Sequence, residues 1–249
     1  MKRFRFVLAC ILTLACGTSL AGTTHVAVAA NFTAPMKDIA AQFEEATGHK
    51  VVLSFGSTGK LFAQIRHGAP FQLMLAADQA TPEKIETDKL GVPGTRFTYA
   101  VGALALWSAQ AHVVDDQGKV LQTPGITRLA LADPKLAPYG RAAIETLQHM
   151  GRLEALKPAL ILGENIAQAY QFTATGNAPL GFVALSQIMQ DGKISRGSAW
   201  VVPTAYYSPI RQDAIVLNAG QDDEATLALV KFLRSEPALA IMNRYGYGH

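Results

Sequence analysis

The sequence predicts an α/β fold built as two units. From His25 to the helix opened by Thr81-Pro82-Glu83, buried strands alternate with amphipathic helices, a pattern that favours a mainly parallel sheet covered by helices. A second series of strands and helices begins near residue 129. No Ser/Gly-rich linker separates the two series, so we expect the chain to pass between the units through extended strands. Hydrophobic residues make up 49% of the 249 positions, which is enough for a sizeable core.

The strands are predicted from short apolar or alternating runs bounded by turn residues. In chain order they are 25–30, 51–55, 73–77, 99–107, 129–132, 160–162, 180–184, 200–203 and 213–217.

The helices are predicted from apolar residues spaced three and four apart and from their terminal residues. Thr33 and Thr81 are the predicted N-caps of the first and third helices, Pro82 follows as the first helical residue, and Gly48 ends the first helix. The predicted helices are 34–46, a segment ending at Gly68, a segment opening at Thr81, 138–150, a segment from 164–166 to about 175, 222–234 and 237–245.

Crossings between the two units are expected near residues 99–102 and 201–205. This places residues 22–100 plus 204–249 in lobe I and residues 101–203 in lobe II, with the last two helices returning to lobe I. Each lobe is then expected to be a mixed, mostly parallel sheet flanked by helices.

Residues 1–21 have the pattern of a secretory signal peptide. Lys2, Arg3 and Arg5 precede a short apolar run, and Ser19-Leu20-Ala21 fits the small-residue cleavage rule. The run is too short for a membrane-spanning helix. Both cysteines, Cys10 and Cys16, lie inside this segment, so the exported chain would have no disulfide, thiolate nucleophile or cysteine metal ligand. A lipid anchor on Cys16 remains a minor alternative to a free periplasmic protein.

The charge balance argues against nucleic-acid binding. The formal net charge is +3, but the signal segment contains three bases and no acid, so the remaining chain has equal numbers of acidic and basic side chains. Nucleic-acid binders normally keep a clustered basic excess, and this sequence has none.

Motifs for catalysis and for metal binding are missing from the sequence. There is no Gly-x-Ser-x-Gly, His-Glu-x-x-His, calcium loop or Gly-x-Gly-x-x-Gly. The segment Gly56-Ser57-Thr58-Gly59-Lys60 is similar to part of a phosphate loop, but Leu61 stands where the magnesium-binding hydroxyl belongs. We therefore expect no catalytic residue, no protein-bound metal ion and no cofactor.

Four turns that precede helices carry small or donor-rich residues: 29–32, 57–59, 138–140 and 164–166. Each predicted helix start offers free N–H groups and the positive end of the helix dipole, and several such ends meeting at one point form an anion site. Taken singly, most of these residues would be ordinary helix caps. Together they indicate an exported protein that binds an anion or a small polar ligand.

The sequence also resembles a known family, the periplasmic molybdate-binding proteins of ABC transporters. The resemblance extends over about residues 24–247 and is carried, in order, by VAVAANFTAPMKDIAAQFEEATGHKVVLSFGSTGKLFAQI, GAPFQLMLAAD, LADPKLAPYG, NAPLGFVAL and RYGY. It implies a two-lobed type II periplasmic binding protein that holds molybdate or tungstate between its lobes. It also implies a membrane permease as partner, a monomer, and no enzymatic activity.

The resemblance implies a set of ligand-binding residues: Ala30, Asn31, Ser57, Thr58, Tyr139 and Ile166. Ile166 would act through its backbone N–H. Ala184 stands where some members have a ligand-binding tyrosine, so it is not included in the set.

Three other functions remain open from the sequence. The protein could bind another small oxyanion or a polyol, it could be an exported hydrolase that pairs Ser57 with a histidine, or it could be a structural domain without a ligand. A site made of donors alone favours molybdate over phosphate, because phosphate keeps a proton near neutral pH and that proton needs an acceptor.

Overall fold

The protein folds around two five-stranded sheets. The computed structural model describes residues 21–248, so the predicted signal peptide lies outside the described residues except for Ala21. The first sheet has the order β2-β1-β3-β12-β4 and the second β11-β5-β8-β6-β7. The strands are β1 (Thr23–Ala29), β2 (Lys50–Gly56), β3 (Leu73–Leu75), β4 (Phe97–Gly102), β5 (Leu104–Ser108), β6 (Leu129–Ala132), β7 (Leu160–Gly163), β8 (Leu180–Ala184), β9 (Met189–Gln190), β10 (Lys193–Ile194), β11 (Ser198–Val201) and β12 (Ile210–Val216). The pair β9–β10 forms a separate antiparallel hairpin.

Helices cover both sheets, as the alternating sequence pattern predicts. They are α1 (Thr33–Thr47), α2 (Thr58–Arg66), α3 (Ala80–Thr87), α4 (Pro138–His149), α5 (Leu153–Leu156), α6 (Ile166–Ala174), α7 (Glu224–Phe232) and α8 (Glu236–Arg244). Short 3-10 turns connect several of them, including Ala30–Phe32 between β1 and α1. No helix in residues 21–248 is both long enough and apolar enough to cross a membrane.

Each sheet combines parallel and antiparallel pairings. Strands β1, β2 and β3 run parallel, as do β6, β7 and β8. The remaining pairings, through β12 and β4 in one sheet and β5 and β11 in the other, are antiparallel. The mixed sheets are confirmed, and the antiparallel part of each comes from the strands that carry the chain between them.

The core divides along the sheets. Phe32, Met36 and Phe43 pack with Leu229 and Met242 on one face of the first sheet, so the C-terminal helices return to that sheet. The largest apolar cluster covers one face of the second sheet and continues to Ala30 and Ala77, which follow strands β1 and β3 of the first sheet. The parts of the protein built on the two sheets are therefore in contact through apolar side chains.

The long strand predicted over residues 99–107 is wrong. The structure divides it at Ala103 into β4 and β5, which belong to different sheets. An apolar run that is buried on both sides of a crossing has the same pattern as one continuous buried strand, so hydrophobicity alone does not locate the break.

The predicted N-caps Thr33 and Thr81 are also wrong, whereas Gly48 ends α1 in the left-handed conformation as predicted. Thr33 lies inside α1, and its Oγ1 donates to the carbonyl of Ala30 at 2.8 Å. Thr81 lies in the first turn of α3, where its N–H donates to Asp78 Oδ1 at 3.0 Å. The 3-10 turn Ala30–Phe32 precedes α1, which therefore begins one residue earlier than predicted. Asp78 accepts from the first turn of α3, which begins two residues earlier than predicted.

Candidate functional site

A small cavity lies where the two sheets face each other. Its walls are the segments that follow β1, β2 and β3 in one sheet and β6 and β7 in the other, so it lies beyond the carboxyl ends of parallel strands. All six residues singled out from the sequence line it. They are Ala30, Asn31, Ser57, Thr58, Tyr139 and Ile166.

The first sheet contributes hydroxyl groups whose protons are available. Ser57 is the N-cap of α2, and its Oγ accepts from the N–H of Lys60 at 3.4 Å. Thr58 Oγ1 accepts from the N–H of Ala77 at 3.0 Å, which joins the turns after β2 and β3. Because both hydroxyl oxygens accept hydrogen bonds from the backbone, each can donate its proton to a ligand.

The second sheet contributes backbone N–H groups at the starts of two helices. Asn165 caps α6, and its Oδ1 accepts from the N–H groups of Ala167 and Gln168, both at 3.0 Å. This capping leaves the N–H of Ile166 without an acceptor among residues 21–248. At α4, Pro138 has no N–H, so Tyr139 provides the first one, and it too has no acceptor in the described chain.

No residue lining the cavity carries a charge, yet its electrostatic environment favours an anion. Three helices, α2, α4 and α6, begin at its wall, and each contributes the positive end of its dipole. Nearby cations are already paired across the cleft, Lys60 with Glu164 and Arg141 with Asp78 at 2.8 Å. The cavity therefore offers neutral donors and helix dipoles in place of a lysine or arginine.

The side chains of Asn31 and Tyr139 are held by a buried network behind the cavity. Asn31 Nδ2 donates to Gln212 Oε1 at 2.8 Å and to Tyr247 Oη at 2.9 Å. Tyr139 Oη accepts from Gln212 Nε2 at 3.2 Å. Both amide hydrogens of Asn31 are thus used inside the protein, so its free donor toward the cavity is the backbone N–H.

The phenols of this network are neutral at physiological pH. Burial raises the pKa of Tyr99 and of Tyr139 well above the ordinary value of 10.0. Burial also raises the pKa of Tyr247, to about 12. The site therefore introduces no negative charge that would repel an anion at neutral pH.

The comparisons with known proteins agree with this geometry. Residues 24–248 match the family model described as bacterial extracellular solute-binding protein. The chain is 56% identical over 235 residues to the molybdate-binding protein ModA of Azotobacter vinelandii, covering 94% of this chain and 93% of that protein. It is 52% identical to ModA of Rhodobacter capsulatus, covering 91% of this chain and 88% of that protein. The chain belongs to the periplasmic molybdate-binding proteins, within the bacterial extracellular solute-binding family.

A solved structure confirms the fold of this solute-binding protein. The periplasmic molybdate-binding protein of Azotobacter vinelandii superimposes with a TM-score of 0.88 at 40% identity, covering 91% of this chain and 99% of that one. The predicted two-lobed architecture is confirmed. These relatives are named for binding molybdate, and the family model describes solute-binding proteins, so the comparisons place the chain among binding proteins rather than among enzymes.

The residues that line the cavity also test the alternative that the protein is an exported hydrolase. No histidine lines it, and Ser57 Oγ receives its hydrogen bond from a backbone N–H, so no base for an exported hydrolase stands beside this serine in the described chain. Residues 21–248 contain no group of three or more His, Cys, Asp or Glu side chains arranged to hold a metal ion. Ala184 is buried in the second lobe and does not line the cavity.

Sequence reasoning missed the residues behind the cavity wall. Gln212, Tyr247 and Ser186 join Asn31 from distant parts of the chain, with Ser186 Oγ donating to the carbonyl of Asn31 at 2.8 Å. The closing RYGY segment carries part of the family resemblance, but nothing in it identifies Tyr247 as a partner of Asn31. Gln212 has no local signal, because it stands between Arg211 and Asp213 in β12 and nothing in this short polar run marks its side chain as buried.

Proposed function

We propose that this protein captures molybdate or tungstate in the cavity and delivers it to the membrane permease of an ABC transporter. The observation that carries the proposal is the cavity wall, which presents N–H and O–H donors from both lobes and no charged side chain. The proposed contacts are Ala30, Asn31, Ser57, Thr58, Tyr139 and Ile166. The names of the relatives from Azotobacter and Rhodobacter support the choice of ligand.

The chemistry of the donors explains the selectivity we propose. Molybdate is a fully deprotonated dianion at pH 7, and every one of its oxygens accepts hydrogen bonds. Phosphate keeps a proton near neutral pH, and a buried proton without an acceptor costs about 1–3 kcal/mol. Sulfate has the right charge but is smaller, so donors fixed by the scaffold would make longer hydrogen bonds to it. Molybdate and tungstate are nearly equal in size, and we propose both as ligands.

We propose that the ligand bridges two lobes that close around it. Lobe I comprises residues 22–100 plus 204–249 and lobe II residues 101–203. Two direct contacts across the cleft support a closed form: the N–H of Gly59 donates to the carbonyl of Leu136 at 3.0 Å, and Ser186 Oγ reaches the carbonyl of Asn31. A ligand that touches both lobes stabilises the closed form by its difference in affinity for the two states.

We further propose that the protein acts in the periplasm as a monomer, after export by the signal peptide in residues 1–21. The closed form is then the one that the permease recognises. Molybdate is the cargo of the transporter and not a cofactor, because no chemical step follows its binding.

Isothermal titration of the exported chain with molybdate, tungstate, sulfate and phosphate tests the proposal, with thermal unfolding as a second readout. A ligand present at about 1,000 times its dissociation constant adds roughly 4 kcal/mol to the unfolding free energy. For a chain of this size that raises the melting temperature by about 8–16 °C. We expect that rise with molybdate and tungstate and little change with the other two anions. Equal binding of sulfate would contradict the proposed selectivity.

A further inference from the structure

We propose that Gln212 is a positioning residue that holds the two lobes of the site together in the closed arrangement, acting through the side chains of Asn31 and Tyr139. This inference rests on the proposed function, because its effect is expected in the binding of molybdate. Gln212 does not line the cavity, so its role differs from that of the six contact residues.

The amide of Gln212 makes opposite hydrogen bonds to the two lobes. Its Oε1 accepts from Asn31 Nδ2 at 2.8 Å, in the turn that follows β1. Its Nε2 donates to Tyr139 Oη at 3.2 Å, in the first turn of α4. A carboxylate lacks the donor and a hydrocarbon lacks both groups, so among side chains of this shape only the amide satisfies both partners.

The backbone around Gln212 is adapted to this contact. Strand β12 pairs with β4 through a register shift in which Gln212 lies opposite Ala100 and Asp213 opposite Thr98, leaving Tyr99 as the extra residue of a bulge. Tyr99 Oη lies 3.0 Å from Gln212 Oε1. The whole Gln212 side chain is buried, with none of its surface exposed.

Gly102 provides the space in which the amide and the phenol meet. A Cβ at this position would lie 2.1 Å from Tyr139 Oη and 2.5 Å from Gln212 Nε2. Any side chain here would push apart the two groups that join the lobes. Gly102 is the last residue of β4, immediately before the chain crosses to the second sheet, so the contact is built at the crossing itself.

The position of Gln212 explains how it would act on the ligand. Asn31 and Tyr139 line the cavity from opposite lobes, each with a backbone N–H that has no acceptor in the described chain, and their side chains are hydrogen-bonded to one amide. Separation of the lobes would break the bond to Tyr139, because β12 belongs to the first sheet and α4 follows a strand of the second. The network therefore stabilises the closed, liganded form, and its loss is expected to speed the release of the ligand.

Stopped-flow and titration measurements with molybdate on Gln212→Met test this inference. We expect the dissociation rate to rise about tenfold, as for the loss of one buried hydrogen bond, and the association rate to stay within about twofold. The matched control is Thr226→Val, which removes another buried hydrogen-bonding group, the hydroxyl that contacts Thr24 at the start of β1 and Asp223 before α7. This control is expected to lower the melting temperature without changing either rate.

A second variant keeps the test decisive if Gln212→Met does not fold. Tyr139→Phe removes only the hydroxyl that Gln212 contacts and keeps the backbone N–H, and we expect a similar rise in the dissociation rate. The effects of the two substitutions are expected to be less than additive in the double variant, because both break the same hydrogen bond.

The outcomes separate this inference from the proposed function. If the unmodified protein does not bind molybdate, both fail. If it binds molybdate but Gln212→Met and Tyr139→Phe release it within twofold of the normal rate, the inference alone is overturned. A matching rise in the dissociation rate of Thr226→Val would also overturn it, since the effect would then be one of general stability.

Discussion

Ile166 illustrates how a backbone group can be the functional part of a residue. Its side chain is buried, while its N–H is the first of α6 and has no acceptor in the described chain, and the residue itself lines the cavity. Asn165 before it has an extended backbone, with φ −148° and ψ 175°, which is a conformation that tolerates a following proline. Proline is also well accepted at the first position of a helix.

We therefore expect Ile166→Pro to remove the N–H without breaking α6. The affinity for molybdate should fall about 10- to 100-fold, the value of one hydrogen bond to a charged group. Ile166→Ala is the control, since it keeps the N–H and loses similar packing. Titration calorimetry on the two variants gives the comparison, and equal affinities would mean that the N–H does not hold the ligand.

The buried phenol of Tyr247 predicts a pH dependence of stability. Its pKa is about 12 in the folded protein and about 10 in the unfolded chain, because burial disfavours the charged form. The unfolded state thus loses its proton first as the pH rises. The free energy of unfolding should be unaffected by this group below pH 10 and fall between pH 10 and pH 12, by roughly 3 kcal/mol in total. Urea unfolding measures this fall, which should be smaller in Tyr247→Phe.

At the residue scale, the sequence predicted the residues at the cavity wall but not those behind it. Ser57 and Tyr139 stand at helix starts, where a local signal exists, whereas Ile166 was implied by the family resemblance. Gln212 and Tyr247 reach Asn31 across 181 and 216 positions of sequence. Contacts between residues so far apart in the sequence depend on how the whole chain folds, so no local sequence pattern predicts them.

Among the secondary-structure elements, the start of α6 combines a structural cap with a cavity wall. Asn165 accepts two hydrogen bonds from the helix and also lines the cavity. These two roles respond differently to substitution. Asn165→Ala should lower the free energy of unfolding by about 1 kcal/mol through loss of the cap.

Asn165→Asp separates the two roles. Aspartate caps a helix as well as asparagine does, so stability should be kept, but its negative charge would lie at the wall of a site for a dianion. We expect the affinity for molybdate to fall at least tenfold in this variant, measured by titration. An unchanged affinity would show that the anion does not approach the start of α6.

Most helices and strands were predictable from periodicity, and the errors lie where two structures share one pattern. The run from Tyr99 to Trp107 is apolar throughout because both of its halves are buried, yet the halves belong to different sheets. Thr33 and Thr81 are typical caps by residue type. Neighbouring groups, the carbonyl of Ala30 and the carboxylate of Asp78, determined their actual roles.

For the whole molecule, the closure that we propose depends on contacts across the cleft, and the exposed ion pair between Lys60 and Glu164 is a weak part of these. The side chains of Lys60 and Glu164 are 51% and 43% exposed, and such surface pairs contribute about 0–1 kcal/mol. Glu164→Gln is therefore expected to raise the dissociation constant for molybdate no more than about fivefold. Asp88→Asn is the control, because Asp88 pairs with Lys84 inside one lobe.

This prediction is checked by titration at low and high salt. If Glu164→Gln weakened binding thirtyfold or more, charge pairs at the cleft rim would outweigh the neutral donors inside it. Closure would then depend mainly on those rim charges, contrary to what we propose.

A crystal structure of the protein grown with molybdate tests the central claim most directly. We predict that the anion lies in the cavity between the sheets, with its oxygens in contact with Ala30 and within hydrogen-bonding distance of the N–H groups of Asn31, Tyr139 and Ile166 and of the hydroxyls of Ser57 and Thr58. Lys60 and Arg141 should remain paired with Glu164 and Asp78. Finding the anion at another place, or in direct contact with Lys60 or Arg141, would contradict recognition by neutral donors.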